Sequence, residues 1–191
     1  MAQLAIGMIE VEGVASLIVA ADAVVKTADV QLLGWDSIGG FTTLFFSGST
    51  ADVDASLQRG QEAAREVREH VVAAAMTQPE PDSLRHITVA IDGDGGAVAD
   101  GALGLIETQG YGIQVTNADA MAKAARVVVR NVLSVQNRLV CTVIQGEVSA
   151  VHEALATARE QLSDGESLLV ATMIPQPHQQ VVGAFASGRE S

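Results

Sequence analysis

The chain has 191 residues, of which 48% are apolar, 18% charged and only 3% aromatic, with a formal net charge of −12. That length holds one domain or two small ones, with a core of Val, Ile, Leu and Ala and few bulky anchors. The acidic balance argues against a nucleic-acid partner; the single cysteine, Cys141, cannot form an internal disulfide, and no Cys/His spacing suggests zinc.

The first residues carry no basic stretch, and Glu10 and Glu12 interrupt them early, so they do not read as a secretory signal. No window approaches 18 apolar residues, so no membrane partner is expected. Residues 4–11 alternate up to Gly13 and predict a strand and turn. Val14, Leu17, Ile18, Ala21, Val24 and Ala28 then recur at helical spacing, and Asp22 and Lys26 form an i,i+4 pair on the other face. Residues 30–36 read as a strand, Ser37-Ile38-Gly39-Gly40 as a turn, and residues 41–48 as the returning strand of a hairpin. Ser49 with Asp52 opens a second helix, in which Val53, Leu57, Gly60, Ala64, Val67 and Val71 mark the buried face. Arg59, Arg65 and Arg68 alternate with Glu62, Glu66 and Glu69 as a solvated face. "VVAAAM" is a short strand running into Pro79-Glu80-Pro81.

Residues 85–100 read as a linker around the exposed turn "DGDGG". A calcium loop is disfavoured there, because Ala97 stands where the loop needs Gly and Leu103 where it needs Glu.

After the linker the chain starts again. "AIGMIEVEG" at Ala5–Gly13 returns as "ALGLIETQG" at Ala102–Gly110. A shift of 97 gives about a dozen identities between positions 5 and 37, among them Gly7 with Gly104, Glu10 with Glu107, Asp22 with Asp119 and Lys26 with Lys123. Near Arg138 the shift becomes 98, pairing Gly48 with Gly146 and Val53 with Val151. The four prolines form two P-x-P pairs, one closing each copy. Val151, Leu155, Ala158 and Leu162 mark the second helix of the second copy. The fold class expected is α+β: two tandem units of β-α-β-β-α-β order, at 3–84 and 101–185, each a small antiparallel sheet with helices packed on it.

The recurring A-[IL]-G-[ML]-I-E-x-x-G strand, the A-D-A-x-x-K helix, "SIGG" and P-x-P-H together resemble the bacterial microcompartment shell domain over nearly the whole chain. Because each copy starts on its G-[ML]-I-E strand, the order resembles the non-permuted tandem class. The resemblance implies a four-stranded ferredoxin-like sheet in each copy. It also implies a homotrimer with the outline of a single-domain hexamer, and a non-enzymatic tile in a protein shell in the bacterial cytoplasm. Such tiles meet others, hexamers and pentamers, edge to edge, enclose enzymes, and pass small metabolites through a central pore.

Carried onto this chain, the resemblance places Ser37, Ile38, Gly39 and Gly40 at the pore, Ser37 replacing the family's Lys. The second copy's loop, Ser134-Val135-Gln136-Asn137-Arg138, is one residue longer and lacks glycine, which implies a three-fold pore. Arg138 either faces the axis, where it would attract anions, or makes a salt bridge away from it. Lys26 and Lys123 match the family's edge lysine. Asp29 and Arg126 nearby differ between copies, Glu80 and Gln176 stand where the family has an edge arginine, and His178 follows the second P-x-P where Asp82 follows the first.

No cofactor is expected. One rival reading is an electron-transfer tile with an iron–sulfur cluster held by Cys141 on the three-fold axis, although a lone strand cysteine is ordinarily a small buried hydrophobe. Another is a small α+β enzyme or ligand-binding regulator. His70, His86 and His152 are scattered, however, and no catalytic set stands out. Glu10 and Glu107 recur at equivalent places, which points to folding or packing rather than to one active site.

Overall fold

The computed structural model describes residues 4–38, 40–79, 101–135, 139–163 and 167–186. They group into two compact units, one of residues 4–12 and 16–79, the other of 13–15 and 101–186.

In the first unit the elements run β1 (Leu4–Glu12), α1 (Ala15–Thr27), β2 (Val30–Ile38), β3 (Phe41–Ser49), α2 (Thr50–Arg65) and β4 (Val71–Thr77). The strands form one antiparallel sheet in the order β2-β3-β1-β4. Gly7 shows why the opening motif needs glycine. A Cβ there would fall 2.5 and 2.8 Å from Phe46 Cε2 and Cε1 and nearer still to Cζ. Phe46, on the paired strand, is fully buried and cannot swing away. Gly104 repeats the arrangement under Ile144, the repeat counterpart of Phe46.

Ser49 caps α2 as expected: its Oγ accepts from Asp52 N at 3.2 Å and donates to Asp52 Oδ2 at 2.5 Å. The buried stripe of α2 departs from the expected one. Val53, Gly60 and Ala64 are buried, but Ser56 and Ala63 complete the stripe, while Leu57 and Val67 are half-buried. Ser56 can face inward because its hydroxyl donates to the Val24 carbonyl at 3.0 Å, and small residues let α2 pack close to α1 and β1. The helix stops at Arg65, so Val71 belongs to β4, and Arg68 lies beyond the helical charge ladder, in which Arg59 Nη1 and Glu62 Oε2 meet at 3.4 Å.

The second unit repeats the order: β5 (Ala102–Gln109), α3 (Tyr111–Ala124), β6 (Val128–Val135), β7 (Leu139–Gly146), α4 (Val148–Gln161) and β8 (Leu168–Ile174). Its sheet order is β6-β7-β5-β8, again antiparallel. Ile106, Met121, Ile144, Val151 and Leu155 form its core. Val151, Leu155 and Ala158 are buried on α4 as expected, whereas Leu162 is the half-buried residue that ends the helix.

Two features add to the expected pattern. The edge strands β2 and β6 each carry a β-bulge at repeat-equivalent places, between Leu32 and Gly34 and between Val129 and Asn131. Past β8 the chain forms a helical turn, α5 (Gln179–Val181), that continues as a π-helical turn over Val182–Ala186. This segment contacts β6 and β7, buries Phe185, and accepts a hydrogen bond at the Phe185 carbonyl from Asn131 Nδ2 at 3.0 Å. It covers part of β7, whose residues are buried on both faces. Among the described residues no helix is long and apolar enough to cross a membrane. The linker at 85–100 lies outside the described residues.

Candidate functional site

The hairpin tips carry the expected pore residues. Ser37 and Ile38 are not turn residues but the end of β2, paired with Thr42 and Phe41. Asp36 Oδ1 accepts from Ser37 N at 2.7 Å. Ile38 is 76% exposed, and Gly40 is buried with φ of +91°. Phe41 is held by an edge contact with His70, ring centres 6.2 Å apart. In the second unit Ser134 and Val135 end β6 and Leu139 begins β7, with Val135 and Leu139 buried and Ser134 exposed. Gly39, Gln136, Asn137 and Arg138 lie outside the described residues.

Of the expected edge residues, Lys26, Asp29, Lys123 and Arg126 sit near the C-terminal ends of α1 and α3. Lys26 Nζ reaches Asp22 Oδ2, and Lys123 Nζ reaches Asp119 Oδ2, each at 2.5 Å. The two pairs differ in setting, because Asp22 is buried while Asp119 is exposed. Asp29 and Arg126 are both exposed. Lys123 and Arg126 share a surface groove of about 640 Å³ with Glu147 and Glu153, so it carries both signs of charge. Gln176 is exposed. His178 caps α5, its Nδ1 accepting from Gln180 N at 3.3 Å. Glu80 lies outside the described residues.

A further polar site was legible only as a recurrence. Glu107 on β5 is 1% exposed, and within the second unit its Oε2 accepts from Val14 N at 2.6 Å and Ala15 N at 3.1 Å. A buried carboxylate needs such donors, and the amides of Val14 and Ala15 supply them. Gly13, with φ of +85°, makes room: a Cβ there would meet the carboxylate, 2.6 Å from Oε2. Glu10, the repeat counterpart, is half-buried on β1, and its Oε2 accepts from Thr43 Oγ1 at 3.1 Å. Cys141 is the counterpart of Thr43, and it lies opposite Glu107 just as Thr43 lies opposite Glu10.

Cys141 is fully buried. Burial pushes its thiol well above the ordinary value near 9, and the Glu107 carboxylate adds to that. Cys141 lies within β7, its Cα paired with that of Glu107. Among the described residues no group of three or more His, Cys, Asp or Glu could hold a metal ion.

Two repeats of one β-α-β-β-α-β unit, each with the same sheet order, are now in view. The BMC domain family matches both of them, at residues 5–81 and 102–177. The chain belongs to the BMC domain family. Its two BMC domains are in tandem, each a four-stranded antiparallel sheet with helices packed against it. The carboxysome assembly protein CcmO of Synechococcus elongatus is 30% identical over 183 residues. That alignment takes in 91% of this chain, and the chain spans 65% of that relative's length. The bacterial microcompartment shell protein PduA of Salmonella typhimurium is 40% identical over 83 residues, which are 43% of this chain and 88% of PduA. A solved microcompartment protein from Desulfitobacterium hafniense is 27% identical, with a TM-score of 0.42, covering 94% of this chain and 98% of that one.

Proposed function

We propose that this chain is a structural, non-enzymatic shell tile of a bacterial microcompartment in the bacterial cytoplasm. Three chains close into a homotrimer whose six BMC domains outline a hexagon around a central pore. The observation that carries this reading is that one family domain occurs twice with the same strand order, while PduA, named a shell protein, matches over a single domain. Cyclic closure needs complementary faces, and a tandem chain already links half of them covalently. CcmO, named a carboxysome assembly protein, supports a place in such an assembly. The domains are taken as 3–84 and 101–185, on either side of the linker at 85–100.

In this tile the two hairpin tips line the pore, three of each. The first presents Ser37, Ile38, Gly39 and Gly40, and the second Ser134 through Arg138. The exposure of Ile38 at the end of its strand supports an apolar collar from the first set. Lys26, Asp29, Lys123 and Arg126, with Glu80, Gln176 and His178, form the edges toward other shell tiles, both hexamers and pentamers. Enclosed enzymes lie inside, and small metabolites pass the pore. Light scattering should give three times the 19.8 kDa chain, and electron microscopy should show discs of hexagonal outline with three-fold symmetry. A monomer or dimer at working concentration defeats this reading.

A further inference from the structure

We propose that α3 is the opening element of the second domain: it lifts off its own sheet as a local event, while α4 and the strands stay in place.

The face on which α3 docks is polar. Side chains alternate along β5, so Thr108 shares the face of Ala102 and Ile106, two members of the apolar core under the helices. Thr142 on β7 is paired with Ile106 and lies on that face too. On α3, Gln114 and Asn117 precede the core residue Met121 by seven and four positions, which puts all three on one side of the helix. Thr108, Gln114, Asn117 and Thr142 are all buried, at 0–3% exposed. The repeat shows that the fold does not require this. At the equivalent places the first copy has Val11, Leu17, Ala20 and Leu44.

Polar contacts hold a helix down less firmly than apolar ones, because water replaces their hydrogen bonds when the helix lifts. Gln114 Nε2 donates to Thr142 Oγ1 at 3.0 Å, and Asn117 Nδ2 donates to the Ala158 carbonyl at 3.4 Å. Among the described residues Thr108 Oγ1 and Asn117 Oδ1 have no hydrogen-bond partner, so both atoms gain one from water on opening. Local support for α3 is also weak. Its N-cap, Gly110, offers no capping side chain, and Val115, Thr116 and Asn117 are three poor helix formers in a row. Within the same unit α4 is the contrast. It meets the core through Val151, Ala154, Leu155 and Ala158, all buried and none polar.

The test is native hydrogen exchange of the full chain, read by mass spectrometry of its peptic fragments. Amides of residues 115–124 should exchange at least about tenfold faster than those of residues 152–161, and low denaturant should leave that faster exchange nearly unchanged, as a local opening requires. Thr108→Val lies on the sheet and leaves the sequence of α3 untouched. It removes one partnerless hydroxyl, and should slow exchange in α3 by roughly fivefold or more without slowing α4. Asn117→Ala removes the other partnerless atom and should slow α3 as well. Equal protection of α3 and α4 overturns the proposal. So does a folded Thr108→Val or Asn117→Ala protein whose α3 exchanges at the wild-type rate or faster.

Discussion

Replacing Gly7 with alanine adds one methyl group at the tightest point of the first sheet. In isolation the change favours folding by about 0.4–1 kcal/mol, because alanine loses less chain entropy than glycine. The structure opposes it. The new carbon would lie 2.5 Å from Phe46 Cε2, while apolar carbons rest at about 3.5–4.0 Å. The ring must therefore move by roughly 1 Å in a core packed like a crystal. Overpacking of this kind costs about 1–3 kcal/mol, so a net loss of about 1–2 kcal/mol is expected. Trp35, the single tryptophan, lies on β2 with its Cα paired to that of Leu44 on β3, two residues before Phe46, and its fluorescence in urea reports this sheet. Phe46→Leu alone should cost about 1–2 kcal/mol through the cavity it leaves. In the double variant the methyl enters that cavity, so the two losses should fall short of additivity by about 1 kcal/mol. A Gly7→Ala protein as stable as wild type, or strict additivity in the double variant, refutes the steric account.

Other expectations follow from single contacts. Ser49→Ala removes the cap of α2 and should lower stability by about 1 kcal/mol in urea melts read by far-ultraviolet dichroism, with Ser49→Thr restoring most of it. Cys141 should resist thiol reagents in the native protein and react once in denaturant; prompt native labelling contradicts its burial. Its folded thiol holds its proton above the unfolded value, so the stability this contributes is complete below pH about 9 and is lost as pH rises through the folded value. Thermal melts of wild type should accordingly fall more steeply above pH 9 than those of Cys141→Ala.

Much of the fold is legible in the sequence because it is written twice. A residue kept at Gly7 and Gly104, or at Glu10 and Glu107, carries a constraint that one copy alone would not reveal. The strands, the first helices and the Ser49 cap follow from local periodicity and capping chemistry. What escaped depends on partners far along the chain. Ser56 is buried in place of Leu57 because the Val24 carbonyl waits for its hydroxyl. Ser37 and Ile38 look like turn residues because they precede two glycines, yet Thr42 and Phe41 hold them in the ladder. The C-terminal helical segment has little helical spacing to announce it, and it is held by Phe185 and by Asn131. Of the candidate site, the type and order of the hairpin-tip residues could be read directly. The hydrogen bonds to the Glu107 carboxylate could not, because no local rule links Glu107 to residues 14 and 15.

The bulges on β2 and β6 bear on a different hazard. Both strands stand last in the strand order of their sheets, the position at which another strand can add on. At Leu33 and Arg130, the extra residues of the two bulges, the ladder slips out of register and the edge twists. A flat, endlessly extendable β-edge is thus broken in both halves of the chain, so crowding need not turn sheets into fibrils.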